Sequence, residues 1–258
     1  MSVTKFSIAM GALLPLGLFA QGPPPAPEPP KPPRQMAPID ITGTWVSLVT
    51  EDWLYRMVTP AKGDYASVPL NPEGRKTADT WDPAKDTGDN ACKSYGAPAI
   101  MRVPGRFRIS WVDDNNLKIE ADAGTQTRTL RFGNQPVPAG DLGWQGNSAA
   151  SWEMAAVGRG GANNAGRSGE PAPRAGSLKV VTTKARAGYL RKNGVPYSAN
   201  TVVTEYYDRL TEPNGDSLLI VKTIVEDPQY LQQPFITSTH LKKIPDNQGW
   251  SPSACAAK

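Results

Sequence analysis

The sequence predicts an all-β fold: an antiparallel meander that closes into an up-and-down barrel, with one short helix. Three observations carry this expectation. Apolar and polar residues alternate with period two from Ile41 onward, while helical periodicity is scarce. Strong turn chemistry separates the alternating runs, as in Asp113-Asp114-Asn115-Asn116 and Asn214-Gly215. Closure also removes the exposed edges that so long a meander would otherwise have to protect. A two-sheet sandwich is the alternative arrangement of the same strands.

Taken in order, Ile41 to Thr50 is β-branched and aromatic and reads as the first strand. A helix is expected next, with Asn71 as its cap, Pro72 at its first position, Glu73 near the positive end of its dipole and an end near Trp81, before Pro83. Such a helix should pack on the barrel or across its mouth. Arg106 to Val112 alternates Phe107, Ile109 and Trp111 against Arg108 and Ser110. After the Asp/Asn turn, Leu117, Ile119 and Ala121 share one face, and Gly124 turns the chain into a strand from Thr125 to Phe132. Ser148 to Met154 and Leu178 to Thr183 read as a pair. Thr201 to Leu210 and Ser217 to Glu226 form another, and Phe235 to Ile244 is the last strand. The Gly-, Ala- and Arg-rich stretch 155–176 between two of these strands reads as a flexible insertion, placed where added length costs least.

The N-terminal region has a different character. Residues 1–20 place Lys5 before an apolar stretch, Phe6 to Ala20, that is broken by Pro15 and glycines and is short for a bilayer span. The expectation is a cleaved export signal and a periplasmic or secreted protein without stable membrane insertion. Residues 21–38 read as a linker. Nine of the seventeen residues from 22 to 38 are proline, which suits a polyproline II tether and neither a sheet nor a helix. The barrel domain then spans 39–258. The formal net charge of +4 is a mild excess, without the clustering of basic and aromatic residues that a nucleic-acid surface needs. The sequence holds two cysteines, Cys92 and Cys255. In an oxidising compartment they are expected to form a disulfide tying the C-terminal tail to the loop before the first long hairpin, with two free thiols as the alternative. Together with the single histidine, His240, they are too few nitrogen and sulfur ligands for a zinc site.

Gly43-Thr44-Trp45, at the start of the first strand, resembles the Gly-X-Trp opening of lipocalin-type barrels, in which the Trp packs across the closed end. A second resemblance covers most of residues 140 to 240. Gly146-Asn147-Ser148, Trp152-Glu153, Gly194-Val195-Pro196-Tyr197-Ser198, Val203-Thr204-Glu205-Tyr206-Tyr207 and Glu226-Asp227-Pro228 are similar to motifs of a family of uncharacterised exported bacterial proteins. That resemblance implies no known reaction. Usual members carry histidine where Asn147, Tyr197 and Val202 stand here, and arginine where Tyr206 stands. A metal-dependent activity is therefore not carried over.

The candidate site residues follow from the strand pattern. Glu205 shares a face with Val203, Tyr207 and Arg209. A desolvated glutamate beside a phenol is a candidate general acid or base, so Glu205 and Tyr207 form the candidate catalytic pair, with a purely structural Glu–Arg pair as the other reading. Trp45, Arg108, Trp111, Arg128, Trp152, Glu153, Arg209 and His240 are the candidate ligand-binding residues, although parity alone leaves the inward face open. His240 lies in a strand on the same face as Ser238, without a nucleophile-elbow motif, and no phosphate loop or dinucleotide fingerprint is present. The expected function is an exported, lipocalin-like protein that binds a small, partly hydrophobic molecule inside its barrel and needs no cofactor. The alternatives are a cofactor-free periplasmic lyase, isomerase or hydrolase using Glu205 with Tyr207 or Arg209, and an envelope interaction protein whose partner is left open.

Overall fold

In the computed structural model, which describes residues 30–154 and 176–257, nine strands close a barrel in the order β1-β11-β10-β9-β6-β5-β4-β3-β2. They are β1 Gly43–Leu48, β2 Arg106–Trp111, β3 Asn116–Ala121, β4 Gln126–Phe132, β5 Asn147–Met154, β6 Gly176–Thr183, β9 Val202–Thr211, β10 Ser217–Glu226 and β11 Phe235–Ile244. Two further strands, β7 Gly188–Arg191 and β8 Val195–Tyr197, form a separate hairpin. The all-β barrel is thus the fold the alternating sequence predicts. The expected export signal lies outside the described residues, as do residues 155–175 of the expected insertion.

Neighbouring strands pair antiparallel around the ring, with one exception: β4 and β5 run parallel, Leu130 opposite Ser148. The reason is arithmetic. A ring of strictly alternating directions needs an even number of strands, so nine strands require one parallel pair. A parallel pair in turn requires a crossover, which residues 133–146 supply by returning the chain to the opposite end of the barrel. The simple up-and-down meander holds elsewhere, except that β7 and β8 are inserted between the paired strands β6 and β9.

The inward face is packed with side chains. Trp45, Phe107, Ile109, Leu117, Ile119, Leu130, Leu178, Val180, Tyr207, Leu219, Val221 and Leu241 belong to one buried cluster. The end of the barrel where β2 ends and β3 begins is its floor. There Trp111, Phe132 and Trp152 stack with ring centroids 5.3–6.4 Å apart. Against them lies a single helical turn, α1 Pro33–Met36, which corrects the expectation that the proline-rich linker stays extended through residue 38. Pro33 occupies the first helical position, where its missing N–H costs nothing, and no proline follows until Pro38. Trp152 Nε1 donates to Pro33 O at 2.8 Å, and Arg34 N donates to Asp114 O.

The opposite end, the mouth, is covered by a second layer. Helix α2 Trp53–Met57, helix α3 Pro72–Ala78, the 3₁₀ segments Gly88–Tyr95 and Ile100–Arg102, and the β7–β8 hairpin all lie at this end. Ile100 and Met101 reach into the barrel core from the short turn that carries them. Helix α3 is the one the sequence predicts, with Asn71 Oδ1 accepting from Gly74 N at 2.8 Å. It ends at Ala78, and its last turn passes through Thr80 and Trp81 to Pro83. Above the mouth a second apolar cluster joins Tyr65, Val68, Leu70 and Ala78 to Leu190, Val195, Tyr197 and Phe235. The cap hairpin turns at Gly194, whose φ of +81° and close approach to the Trp81 ring exclude a side chain. Its return to the barrel is pinned by the buried Asp227, which accepts from Ser198 N, Ser198 Oγ, Thr201 Oγ1 and Gln229 N. The Gly-Val-Pro-Tyr-Ser and Glu-Asp-Pro motifs therefore meet as structural parts of one joint.

Tyr65 makes the cap sensitive to alkali. Burial first, then its 2.8 Å hydrogen bond to Asp79 Oδ1, push its phenol up to about 12 from the ordinary 10.0. The folded state favours the neutral phenol, so this contribution is whole below pH 10 and is lost as pH rises towards 12. Urea midpoints measured across that window should fall, and Tyr65→Phe should make the fall shallower. An unchanged slope would show that Tyr65 ionises freely in the folded protein.

Candidate functional site

Inside the barrel the only band of charge described is a buried pair. Arg128 on β4 and Glu205 on β9 have side chains 2% and 0% exposed and meet in two hydrogen bonds, Nη1 to Oε1 at 3.2 Å and Nη2 to Oε2 at 2.6 Å. Arg128 Nη2 also donates to Thr182 Oγ1 at 3.0 Å and Ser148 Oγ at 3.3 Å, and these two hydroxyls share a 2.8 Å hydrogen bond. Tyr207 OH donates to Glu205 Oε1 at 3.2 Å. Burial acts first on both partners of the carboxylate. It disfavours the Arg128 charge, but the charge of Glu205, the Tyr207 oxygen and the hydrogen bonds together outweigh it and hold the guanidinium above its ordinary value. Burial and then the Glu205 charge raise the Tyr207 phenol well above 10, so Tyr207 is a donor here. The geometry is that of an internal ion pair within packed side chains, in which both terminal nitrogens of Arg128 are engaged and its Nε is left without a partner.

The other sequence-selected residues separate. Trp45 is fully buried in the core, with Nε1 donating to Ile41 O at 2.9 Å. Trp111 and Trp152 belong to the floor stack. Arg209 lies at the rim on that side, where it donates to Asp40 O and Ser217 Oγ and makes no hydrogen bond to Glu205. Arg108 points outward. It lies 3.8 Å from the Trp250 ring centroid and pairs with Glu120. Glu153 bridges Lys179 on the outer surface, and His240, also outside, contacts Thr50 Oγ1 and Ser238 Oγ. The structure therefore joins Arg128, Glu205 and Tyr207, and distributes the rest over the core, the floor and the outer face.

Because side chains fill the barrel interior, the expected ligand space inside it is occupied by protein. A cavity of about 270 Å³ lies instead at the mouth, between α2, the segment Ser94–Pro104 and β7. Its apolar lining comprises Met57, Val58, Ala99, Val103, Pro104, Ala123 and Leu190. Met57 and Val58 are 60% and 61% exposed and form its lip. Its basic lining comprises the half-buried Lys192 and the buried Arg56, Arg102 and Arg191, the arginines being 9%, 6% and 4% exposed. Arg56 donates through Nε to Arg102 O at 2.9 Å and pairs with Glu51. Arg102 Nη2 pairs with Asp52 Oδ2 at 3.0 Å. Arg191 Nη1 donates to Ala66 O at 2.6 Å, and its Cζ lies 4.2 Å from the Tyr55 ring centroid. Burial, and after it the neighbouring Arg102 charge, pull Arg191 below the ordinary arginine value; burial chiefly does the same to Arg56, against the opposing pull of Glu51.

These three arginines were not singled out by strand parity, since none lies in a barrel strand. A signal was nonetheless present. Arg56 and Arg102 stand inside apolar or aromatic runs, Trp53-Leu54-Tyr55-Arg56-Met57 and Ala99-Ile100-Met101-Arg102-Val103, and Arg191 directly follows Tyr189-Leu190. A charge in such a run must be buried with its neighbours or carried on an exposed apolar strip.

Fold and site together define a capped β-barrel with a mixed apolar and cationic pocket at its mouth. No protein-family model, curated protein or solved structure matches this chain. Among the described residues no helix is long and apolar enough to cross a membrane, and no group of three or more His, Cys, Asp or Glu side chains is placed to hold a metal ion.

Proposed function

We propose that this protein is an exported binding protein of lipocalin-like design that takes a small, partly hydrophobic molecule in the pocket at the barrel mouth. The single observation behind this reading is that one cavity is lined by both apolar side chains and buried arginines, a combination typical of small-molecule sites. The Lys5-to-Ala20 pattern and the Cys92–Cys255 pair support export. Glu205 and Tyr207 serve the barrel: their polar atoms are engaged within the packed interior, and a substrate would have to displace core side chains to reach them.

Native mass spectrometry of the purified full chain, after incubation with an organic extract of its host's growth medium, tests the reading. A retained small molecule is expected. Val103→Trp, which fills the cavity from its apolar lining, should lose that molecule while melting close to the unaltered protein. Equal retention by the filled variant would remove this pocket as the site.

A further inference from the structure

Among the described residues, the arginines that leave a terminal Nη nitrogen buried without a partner are the three at the mouth; Arg106, Arg108 and Arg128 leave only Nε so. Arg56 Nη2, Arg102 Nη1, and both Nε and Nη2 of Arg191 are buried without a hydrogen-bond partner. Guanidinium donors withdrawn from water without acceptors are costly to fold, so an acceptor brought by a ligand relieves a penalty already present. Two carboxylates, Glu51 and Asp52, contact the trio, one on Arg56 and one on Arg102. Arg191 receives only a backbone carbonyl and the faces of aromatic rings. Arg102 and Arg191 also share a ring: their Cζ atoms lie 5.8 and 6.0 Å from the Phe235 centroid. Like charges are thus brought together, held by aromatic faces and short of acceptors, beside a cavity.

We infer that the ligand's polar end is an anion, a carboxylate or phosphate head on an apolar body, seated on Arg56, Arg102 and Arg191. This rests on the binding reading above. A planar guanidinium presents paired donors that match two oxygens of one such head. The free donors of three guanidinium groups supply more acceptor demand than one neutral hydroxyl or carbonyl can meet. A cationic head would add to the repulsion already present. The apolar lining residues, the exposed Met57 and Val58 among them, then take the body of the molecule, with the charged end inward on the buried arginines.

Calorimetric titration of the full chain at low salt with decanoate, decyl phosphate, decanol and decyltrimethylammonium tests this. At least one of the two anions should bind about 10- to 100-fold more tightly than decanol, and the cation should bind more weakly than decanol. Whichever anion is preferred identifies the head. Arg191→Gln should reduce anion affinity about tenfold or more while leaving decanol affinity unchanged. Arg191→Lys, which keeps the charge without the planar fork, should fall between the two. Decanol binding as tightly as both anions would overturn the anionic head and leave the binding pocket standing. Failure of all four amphiphiles to bind would overturn both. These comparisons use the unaltered chain, so they decide the matter even if an arginine variant folds poorly.

Discussion

Glu205→Ala is expected to lower the free energy of unfolding by about 3–5 kcal/mol, because it leaves Arg128 charged and unpartnered in the barrel interior. Arg128 is held above its ordinary value chiefly by the carboxylate it faces, and an arginine cannot escape the penalty by losing its proton. Its remaining contacts, Ser148 and Thr182, are neutral hydroxyls that do not replace a carboxylate. Glu205→Gln should cost less than Glu205→Ala, since the amide oxygen can still accept one hydrogen bond from Arg128. The paired replacement Arg128→Met with Glu205→Leu removes both charges and should recover most of the loss, as buried ion pairs often exchange for apolar pairs at little cost. Urea denaturation of the four proteins measures this directly. A Glu205→Ala variant within about 1 kcal/mol of the unaltered protein, the value of an exposed pair, would show that the pair is solvated.

Removing the Cys92–Cys255 disulfide is the other change of comparable size. The two cysteines are separated by 163 positions, with Cα atoms 5.0 Å apart. Closing a loop of that length restrains the unfolded chain by about 5 kcal/mol in the chain-entropy treatment, and removing a disulfide commonly costs about 2–5 kcal/mol. A Cys92→Ser/Cys255→Ser double variant should therefore unfold at a markedly lower denaturant concentration. The effect reaches the mouth as well. The tail carrying Cys255 pairs Ser253 with Ala123 and donates from Ala256 N to Tyr95 OH at 3.2 Å, and both Ala123 and Tyr95 line the pocket. Limited proteolysis of the double variant should cut residues 246–257 first. A variant as stable and as resistant as the original would mean the tail is held by its other contacts alone.

Strand order and register explain why much of this molecule could be read from its sequence. Ser217–Glu226 and Phe235–Ile244 are strands with the ends their patterns indicate, and Arg106–Trp111 and Gln126–Phe132 differ by one residue at one end. These segments alternate because one face meets the packed interior, so burial writes the period into the sequence. The capped helix at Asn71 was legible for a local reason: its cap, its proline and its acidic first turn act within four residues. The parallel β4–β5 pair was not legible, because the direction of a strand relative to its neighbour is a property of the ring.

The site divides along the same line. That Glu205 and Tyr207 share a face follows from their spacing. Which arginine Glu205 pairs with does not: Arg209, on its own strand, has the right parity, yet the partner is Arg128, 77 positions away. Arg108 alternates against Phe107, Ile109 and Trp111 and points outward to Trp250, whereas Arg128 has the parity of Leu130 and Phe132 and points inward; only the closure of the sheet brings it to Glu205. The pocket is further still from local rules. Arg56, Arg102 and Arg191 come from a helix, a short 3₁₀ turn and a cap strand that have no common period. By itself, then, the sequence determined the strands, the capped helix and the residues able to form a disulfide, all consequences of side-chain chemistry acting over a few residues or of one buried face. Tertiary structure alone decided which charges meet, where the barrel is plugged and where space remains, because long-range closure brings together residues whose separation along the chain carries no local signal.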